Sequence, residues 1–254
     1  MILLIDIGNT STKVAIYDFR TNKVKNYASF LTCKDNILLK INKYKKNKKI
    51  KYSLISSVVP SFYKIIKRSL SQNKIKVFEF KDKKIKKNIM INVTKKFQVG
   101  SDRIVNAIGS LNYYKRNCII IDFGTTTTFD VALTKNIYLG GVIAPGINLS
   151  LRSLSKYTAK LPLIKIFRQK NVIGKDTRSA INSGVYIGYS CLINGIIEKI
   201  IKQTKKKYLV VLTGGYSKIF KKNLNYKTVI NKNLTIYGLA VTVKENKKIF
   251  YEDR

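Results

Sequence analysis

The chain has 254 residues, 45% of them hydrophobic, which is enough for two modest α/β domains on the usual prior of roughly 150 residues per domain. It has no histidine, which excludes histidine triads, histidine-ligated zinc and histidine general bases, and its three cysteines stand singly, which argues for a reducing cytoplasm and against a disulfide framework. Fifty Lys and Arg against 13 Asp and Glu give a formal charge of +37; the lysines recur along the whole chain without interleaved aromatics, so the surplus reads as compositional background with non-specific polyanion binding, and no specific nucleic-acid partner is expected.

Residues 2–7, 14–19 and 24–30 read as three successive strands, the first a continuous buried run. An amphipathic helix is expected over 35–47 and a strand over 52–59. Pro60 stops that strand, helical spacing follows over 61–70, and a short strand covers 76–80. The basic, low-complexity stretch 81–97 reads as a loop or peripheral hairpin. A helix over 100–115 opens at Gly100 and Ser101. The pattern then begins again, with strands over 118–124, 127–133 and 137–144, and helices over roughly 146–160 and 177–204. A buried strand at 208–215, a helix after Ser217 and a last one near 237–245 complete the chain. Apolar runs such as 118–121 fall far short of the ~20 residues a membrane span needs, and "MILLI" meets Asp6 without a basic leader, so neither a span nor a signal peptide is expected.

Two copies of three strands followed by α/β units form a coarse internal repeat. They suggest an N-terminal lobe over 1–114 and a C-terminal lobe over 115–254 around a central cleft. In each copy an apolar strand runs into an acidic glycine turn, "DIGNT" at 6–10 and "DFGTT" at 122–126. With few acidic residues in the chain, Asp6, Asp102, Asp122 and Asp130 stand out, because each lies beside a Gly, Thr or Arg cluster. "DIGNTSTK" offers backbone N–H groups, the hydroxyls of Thr10, Ser11 and Thr12 and the Lys13 ammonium, a concavity suited to a phosphate chain. Asp6 there could hold Mg²⁺ together with phosphate oxygens. A tight hairpin needing Gly8 and Asn9 only for their backbone freedom accounts for the same residues. In "DFGTTTTFD" the threonines are good strand formers as well as hydroxyl donors. "LTGGYS" at 212–217 adds a third strand-to-glycine turn. Neither a Walker-type phosphate loop nor a dinucleotide fingerprint is present.

The trio "DIGNT", "DFGTTTTFD" and "LTGG" resembles the duplicated, ribonuclease H-like nucleotide-binding fold of actin and the sugar kinases. "VGSDRIVNA" at 99–107, "GGVIAPG" downstream, "ISSVVP" at 55–60 and "GKDTRSAINSG" at 174–184 make the chain similar to type III pantothenate kinases, from residue 2 to about 242. The resemblance implies transfer of the γ-phosphate of ATP to the primary hydroxyl of pantothenate, the first step towards coenzyme A, in a cytoplasmic homodimer with no membrane partner. It implies that Asp6, Ile7, Gly8, Asn9, Thr10, Ser11, Thr12, Lys13 and Thr125 bind ATP. Gly100, Ser101, Asp102, Arg103 and Thr177 would bind pantothenate, with Asp102 as proton acceptor. Asp122 would hold a monovalent cation, K⁺ or NH₄⁺, and Asp6 would meet Mg²⁺ through ATP. Arg103 beside Asp102 would keep that carboxylate ionised. The loop before Gly100 has Val93 and Lys96 where such kinases tend to carry an aromatic and a proline. A kinase-fold accessory protein that binds nucleic acid through its basic surface, or another small-molecule kinase of the same fold, remains the alternative reading.

Overall fold

The computed structural model describes residues 1–45 and 47–251. Lys46, inside the helix expected over 35–47, and 252–254 lie outside the described residues. The chain packs as two units. The first gathers residues 1–115, 135–138 and 233 onward; the second holds 116–134 and 139–232. A division at 114/115 thus leaves out a return: the C-terminal stretch packs with the first unit.

In the first unit, β1 (Ile2–Ile7), β2 (Ser11–Asp18) and β3 (Lys23–Leu31) form an antiparallel meander. Helix α1 (Lys34–Lys45) leads to β4 (Tyr52–Ser57), and α2 (Pro60–Ser71) to β5 (Lys76–Glu79). The strands β1, β4 and β5 run parallel, and the sheet order is β3-β2-β1-β4-β5. Pro60 ends β4 and opens α2 at a position where its missing N–H costs nothing. Every residue of β1 is buried, as a strand covered on both faces requires. Leu3, Ile5 and Ile7 pack with Ile37, Ile41, Ile66 and Leu70 of α1 and α2.

The stretch 81–97 is not a hairpin. Its two-residue strand β6 (Met90–Ile91) pairs in parallel with Ile137 and Tyr138, far along the chain, and a 3₁₀ turn covers Lys96–Gln98. Helix α3 (Ser101–Tyr114) follows. Much later, α7 (Leu234–Glu245) and α8 (Lys247–Tyr251) complete this unit. The helices α3 and α7 cross where Gly109 meets Gly238: a Cβ on Gly109 would lie 2.8 Å from the Leu234 carbonyl oxygen. Two bare glycines let the helix backbones touch. Helix α7 also lies against β1, β2 and β4.

The second unit repeats the plan. Strands β7 (Cys118–Phe123), β8 (Thr126–Leu133) and β9 (Ile137–Pro145) precede α4 (Ile147–Tyr157) and the long α5 (Thr177–Thr204). Then come β10 (Leu209–Gly214), the short α6 (Ser217–Phe220) and β11 (Thr228–Ile230). The order β9-β8-β7-β10-β11 matches that of the first sheet strand for strand, with β7, β10 and β11 parallel. The expected duplicated α/β architecture is therefore what the chain adopts. Ile119, Ile121 and Phe123 face Ile181, Val185, Tyr189 and Ile193 of α5, and Phe220 stacks on Phe123 at 5.4 Å. By length and composition α5, at 28 residues, is long and apolar enough to cross a membrane, a test that core helices also pass; half of its most apolar window is buried in the protein.

Candidate functional site

In the first unit, Asp6 alternates along β1 with Leu3, Ile5 and Ile7 and so faces the side of the sheet opposite α1 and α2. Its cross-strand neighbours are Lys13 on β2 and Ser56 on β4, forming a polar row Ser56–Asp6–Lys13. Each flank of that row touches the first turn of a helix. Ser56 Oγ donates to Ser101 Oγ at 3.1 Å, and Ser101 Oγ donates in turn to the Ser57 carbonyl at 3.1 Å, fixing the start of α3. Lys13 Nζ donates to Thr235 Oγ1, 3.3 Å away at the start of α7. Two helix N-termini, each a centre of partial positive charge, thus meet the strand end that carries Asp6.

The turn that follows is tight. Gly8 N–H donates to the Ser11 carbonyl at 3.0 Å, and a Cβ on Gly8 would lie 3.0 Å from the same oxygen. Asn9 and Thr10 are exposed at its tip. Ile7 and Thr12, by contrast, are fully buried. At the mouth of α3, Arg103 N–H donates to Asp102 Oδ1 at 2.9 Å. The Arg103 guanidinium lies 6.0 Å from the Tyr138 ring centroid, a cation–π contact. Gly100 keeps the approach to Asp102 open, because a Cβ there would run into that carboxylate. Asp6, the turn through Lys13 and the segment Gly100–Arg103 therefore belong to one bonded neighbourhood.

In the second unit, Asp122 stands at the same place on β7, between Thr128 on β8 and Thr213 on β10. Thr128 Oγ1 donates to the buried Asp130 at 3.1 Å. The Thr213 hydroxyl is buried and has no hydrogen-bond partner among the described residues. Four glycines close around Asp122 and Thr125. Gly124 N–H donates to the Thr126 carbonyl at 3.1 Å, and Gly215 N–H to the Phe123 carbonyl at 3.1 Å. Gly214 has φ +83°, and a Cβ there would sit 2.7 Å from Asp122 Oδ1 and 2.5 Å from the Phe123 carbonyl oxygen. Gly146, before α4, packs on the Thr125 carbonyl so closely that a Cβ would overlap it. Thr125 itself is exposed. Behind the turn, the Tyr189 hydroxyl donates to Thr127 Oγ1 at 3.2 Å; burial raises the pKa of that phenol and the bond to Thr127 opposes the shift.

Thr177 belongs to neither strand-end network. It opens α5 after an N-terminal capping box, in which Ser179 N–H donates to Asp176 Oδ1 at 2.9 Å and Asp176 N–H to Ser179 Oγ at 3.1 Å. Thr177 also lines a cavity of about 550 Å³ walled chiefly by Leu154, Leu161, Ala180, Ile181 and Val185. Among the described residues there is no cluster of three or more His, Cys, Asp or Glu side chains. The ligands available beside Asp6 and Asp122 are carboxylate, hydroxyl and carbonyl oxygens, the donor chemistry of Mg²⁺ and of hard monovalent cations. The exposed Asn9 and Thr10 at the tip, with the half-buried Ser11 and Lys13 beside them, carry donors that fit a phosphate chain. Reading the sequence alone passes over Thr32, Ser56, Thr235 and Tyr189, which hold these turns from 20 to more than 200 residues away.

Comparisons with known proteins give the family and the fold. The sequence profile of the type III pantothenate kinases matches residues 2–199. A type III pantothenate kinase of Pelagibacter ubique is 43% identical over 94% of this chain and 97% of its own length, and one of Sulfurihydrogenibium is 37% identical over 94% and 98%. Among solved structures, a conserved putative Baf family transcriptional activator from Campylobacter jejuni superposes with a TM-score of 0.63 at 19% identity, covering 97% of this chain and 99% of that one. A ROK family transcriptional regulator superposes at 0.53 and 10% identity, covering 96% and 78%. These two establish kinship of fold alone. The family match and the near full-length identities go further: the chain belongs to the type III pantothenate kinase family.

Proposed function

We propose that the protein transfers the γ-phosphoryl group of ATP to the primary hydroxyl of pantothenate, giving 4′-phosphopantothenate and ADP, the first step of coenzyme A synthesis. The observation that carries this reading is the 43% identity to a type III pantothenate kinase over nearly the whole of both chains.

Asp102 is the general base. As the pantothenate oxygen bonds to the γ-phosphorus and the bond to the β,γ-bridging oxygen breaks, the hydroxyl proton passes to its carboxylate. A hydroxyl titrates far above neutrality, so a positioned acceptor is worth roughly 10²–10⁴ in rate. Two features support the assignment: Asp102 stands in the first turn of α3, and the Ser101–Ser56 bond ties that turn to the strand beside Asp6. Gly100, Ser101 and Arg103 complete the pantothenate segment, and Thr177 contacts pantothenate from the partner subunit of a homodimer. Asp6 through Lys13 and Thr125 bind ATP, with the N–H groups of the turn and the Lys13 ammonium on its phosphates. When bound, Mg²⁺ at Asp6 and K⁺ or NH₄⁺ at Asp122 offset negative charge on the phosphate oxygens. The enzyme works in the cytoplasm.

The test is an assay of purified protein with ATP, Mg²⁺ and pantothenate, with K⁺, NH₄⁺ or Na⁺ as the monovalent cation, beside Asp102→Asn. Turnover in the parent that falls when sodium replaces potassium, and a loss of at least about a hundredfold in the variant, are expected. Equal rates from parent and variant would dismiss Asp102 as the base. Indifference to the cation would remove Asp122 from its role.

A further inference from the structure

The two repeats share a detail that no motif marks. Thr12 pairs with Ile7, the residue after Asp6, and Thr127 pairs with Phe123, the residue after Asp122. Both threonines are fully buried. Each hydroxyl meets a second hydroxyl from outside its hairpin: Thr32 Oγ1 at 2.9 Å from Thr12, and the Tyr189 phenol at 3.2 Å from Thr127.

Thr32 does most. Its N–H donates to the Thr10 carbonyl at 2.9 Å, and its hydroxyl donates to the Gly8 carbonyl at 2.8 Å. A hydroxyl has one proton, so with that proton on Gly8 the 2.9 Å bond must run from Thr12 to Thr32. The result is a directed relay, Thr12 to Thr32 to Gly8, in which each bond polarises the next. The consequence reaches the open side of the turn. All peptide bonds here are trans, and in a planar trans peptide the N–H points opposite the preceding C=O. With the carbonyls of Gly8 and Thr10 drawn towards Thr32, the N–H groups of Asn9 and Ser11 are turned the other way.

We infer that Thr32 is a positioning residue for nucleotide binding: it fixes the direction in which the turn aims its phosphate donors, without touching the nucleotide. This rests on the reading of 6–13 as the phosphate turn.

The test compares Thr32→Val, which keeps the shape and removes the hydroxyl, with Thr32→Ser, which keeps the hydroxyl. Thr32→Ala serves as a second deletion of the hydroxyl should the valine variant not fold. Binding of ATP with Mg²⁺ is measured by calorimetry without pantothenate, alongside the KM of each substrate and the unfolding midpoint. The hydroxyl-less variants are expected to bind ATP roughly five- to tenfold more weakly, the ordinary yield of one hydrogen bond. KM for pantothenate should stay within about twofold, and Thr32→Ser should match the parent. Unchanged ATP affinity in the deletions overturns the inference. So does a parallel rise of both KM values, or a serine variant as impaired as valine, since either marks a merely structural residue. A parent that binds no ATP sinks the phosphate-turn reading and this inference with it; a parent that binds, beside a valine variant that binds equally, sinks this inference alone.

Discussion

Replacing Gly238 with alanine sets two opposed effects against each other. In the interior of α7, alanine improves helix propensity by about 1 kcal/mol over glycine. The added Cβ, however, would overlap the Val105 carbonyl oxygen of α3 and lie 2.8 Å from Val105 Cγ1. Carbon contacts rest at roughly 3.5–4.0 Å, so α7 must retreat by about 0.7 Å or more, and a gap of that size forfeits a quarter to a half of the dispersion energy along the crossing. Overpacking against backbone belongs at the upper end of the usual range, about 3 kcal/mol. The difference is a net loss of about 2 kcal/mol, or a fall in Tm of roughly 4–8 °C for a chain of this size. Gly195→Ala is the control. That glycine lies in α5 with nothing within 4 Å of its would-be Cβ, so propensity alone should act and Tm should rise. Circular dichroism melts of the three proteins decide the matter. If Gly238→Ala melts with or above the parent, the helices are not locked at that crossing and the steric reasoning is wrong. The ATP KM of Gly238→Ala should also rise, because Thr235, which holds Lys13, lies one turn earlier on the same helix.

Tyr189→Phe deletes one hydroxyl and leaves buried Thr127 without its donor; a loss of about 1 kcal/mol is expected, together with a higher K⁺ concentration for half-maximal rate. An unaltered K⁺ response and melting point would show the bond to be idle. Burial pushes the Cys118 thiol up to about 12, while Cys33 is exposed. At pH 8 only about one part in ten thousand of Cys118 is thiolate, so a disulfide reagent should label Cys33 in the native protein and Cys118 only on unfolding; early labelling of Cys118 would refute this. Bonds from Ser179 hold the Asp176 carboxyl below its ordinary 3.8. A lowered carboxyl contributes stability that is complete above the unfolded value and lost as pH falls through the folded one. Asp176→Ala should therefore melt below the parent by a constant margin above pH 4, with the margin shrinking in more acidic solution; a margin that widens there would contradict the capping assignment.

The strands that carry Asp6 and Asp122 were legible because long buried runs ending in Asp-x-Gly have few other uses. Helix α5 occupies the span expected for it, 177–204. Strand β11 was missed: three half-buried residues between polar neighbours give no period to read. The segment of β6 was read as a loop or peripheral hairpin because its only strand partner among the described residues, the start of β9, lies over 40 residues away, and nothing local encodes that pairing. The last long helix begins at Leu234 rather than near 237, since Asn233 precedes it without a side-chain capping bond to announce the start. The site divides in the same way. Residues that would touch substrates form short, recognisable words, whereas Thr32, Ser56 and Thr235 act through single bonds across long sequence separations.

Because Asn233 onward packs with the first unit, the second unit is spliced into the chain of the first. On a ribosome the leading sheet must therefore wait, on the order of ten seconds at ordinary elongation rates, for the helix that covers β1 and supplies the partner of Lys13. Until that helix emerges, a half-made chain lacks the grip on its own lysine. On the role proposed for Lys13, nucleotide capture then waits for the finished molecule.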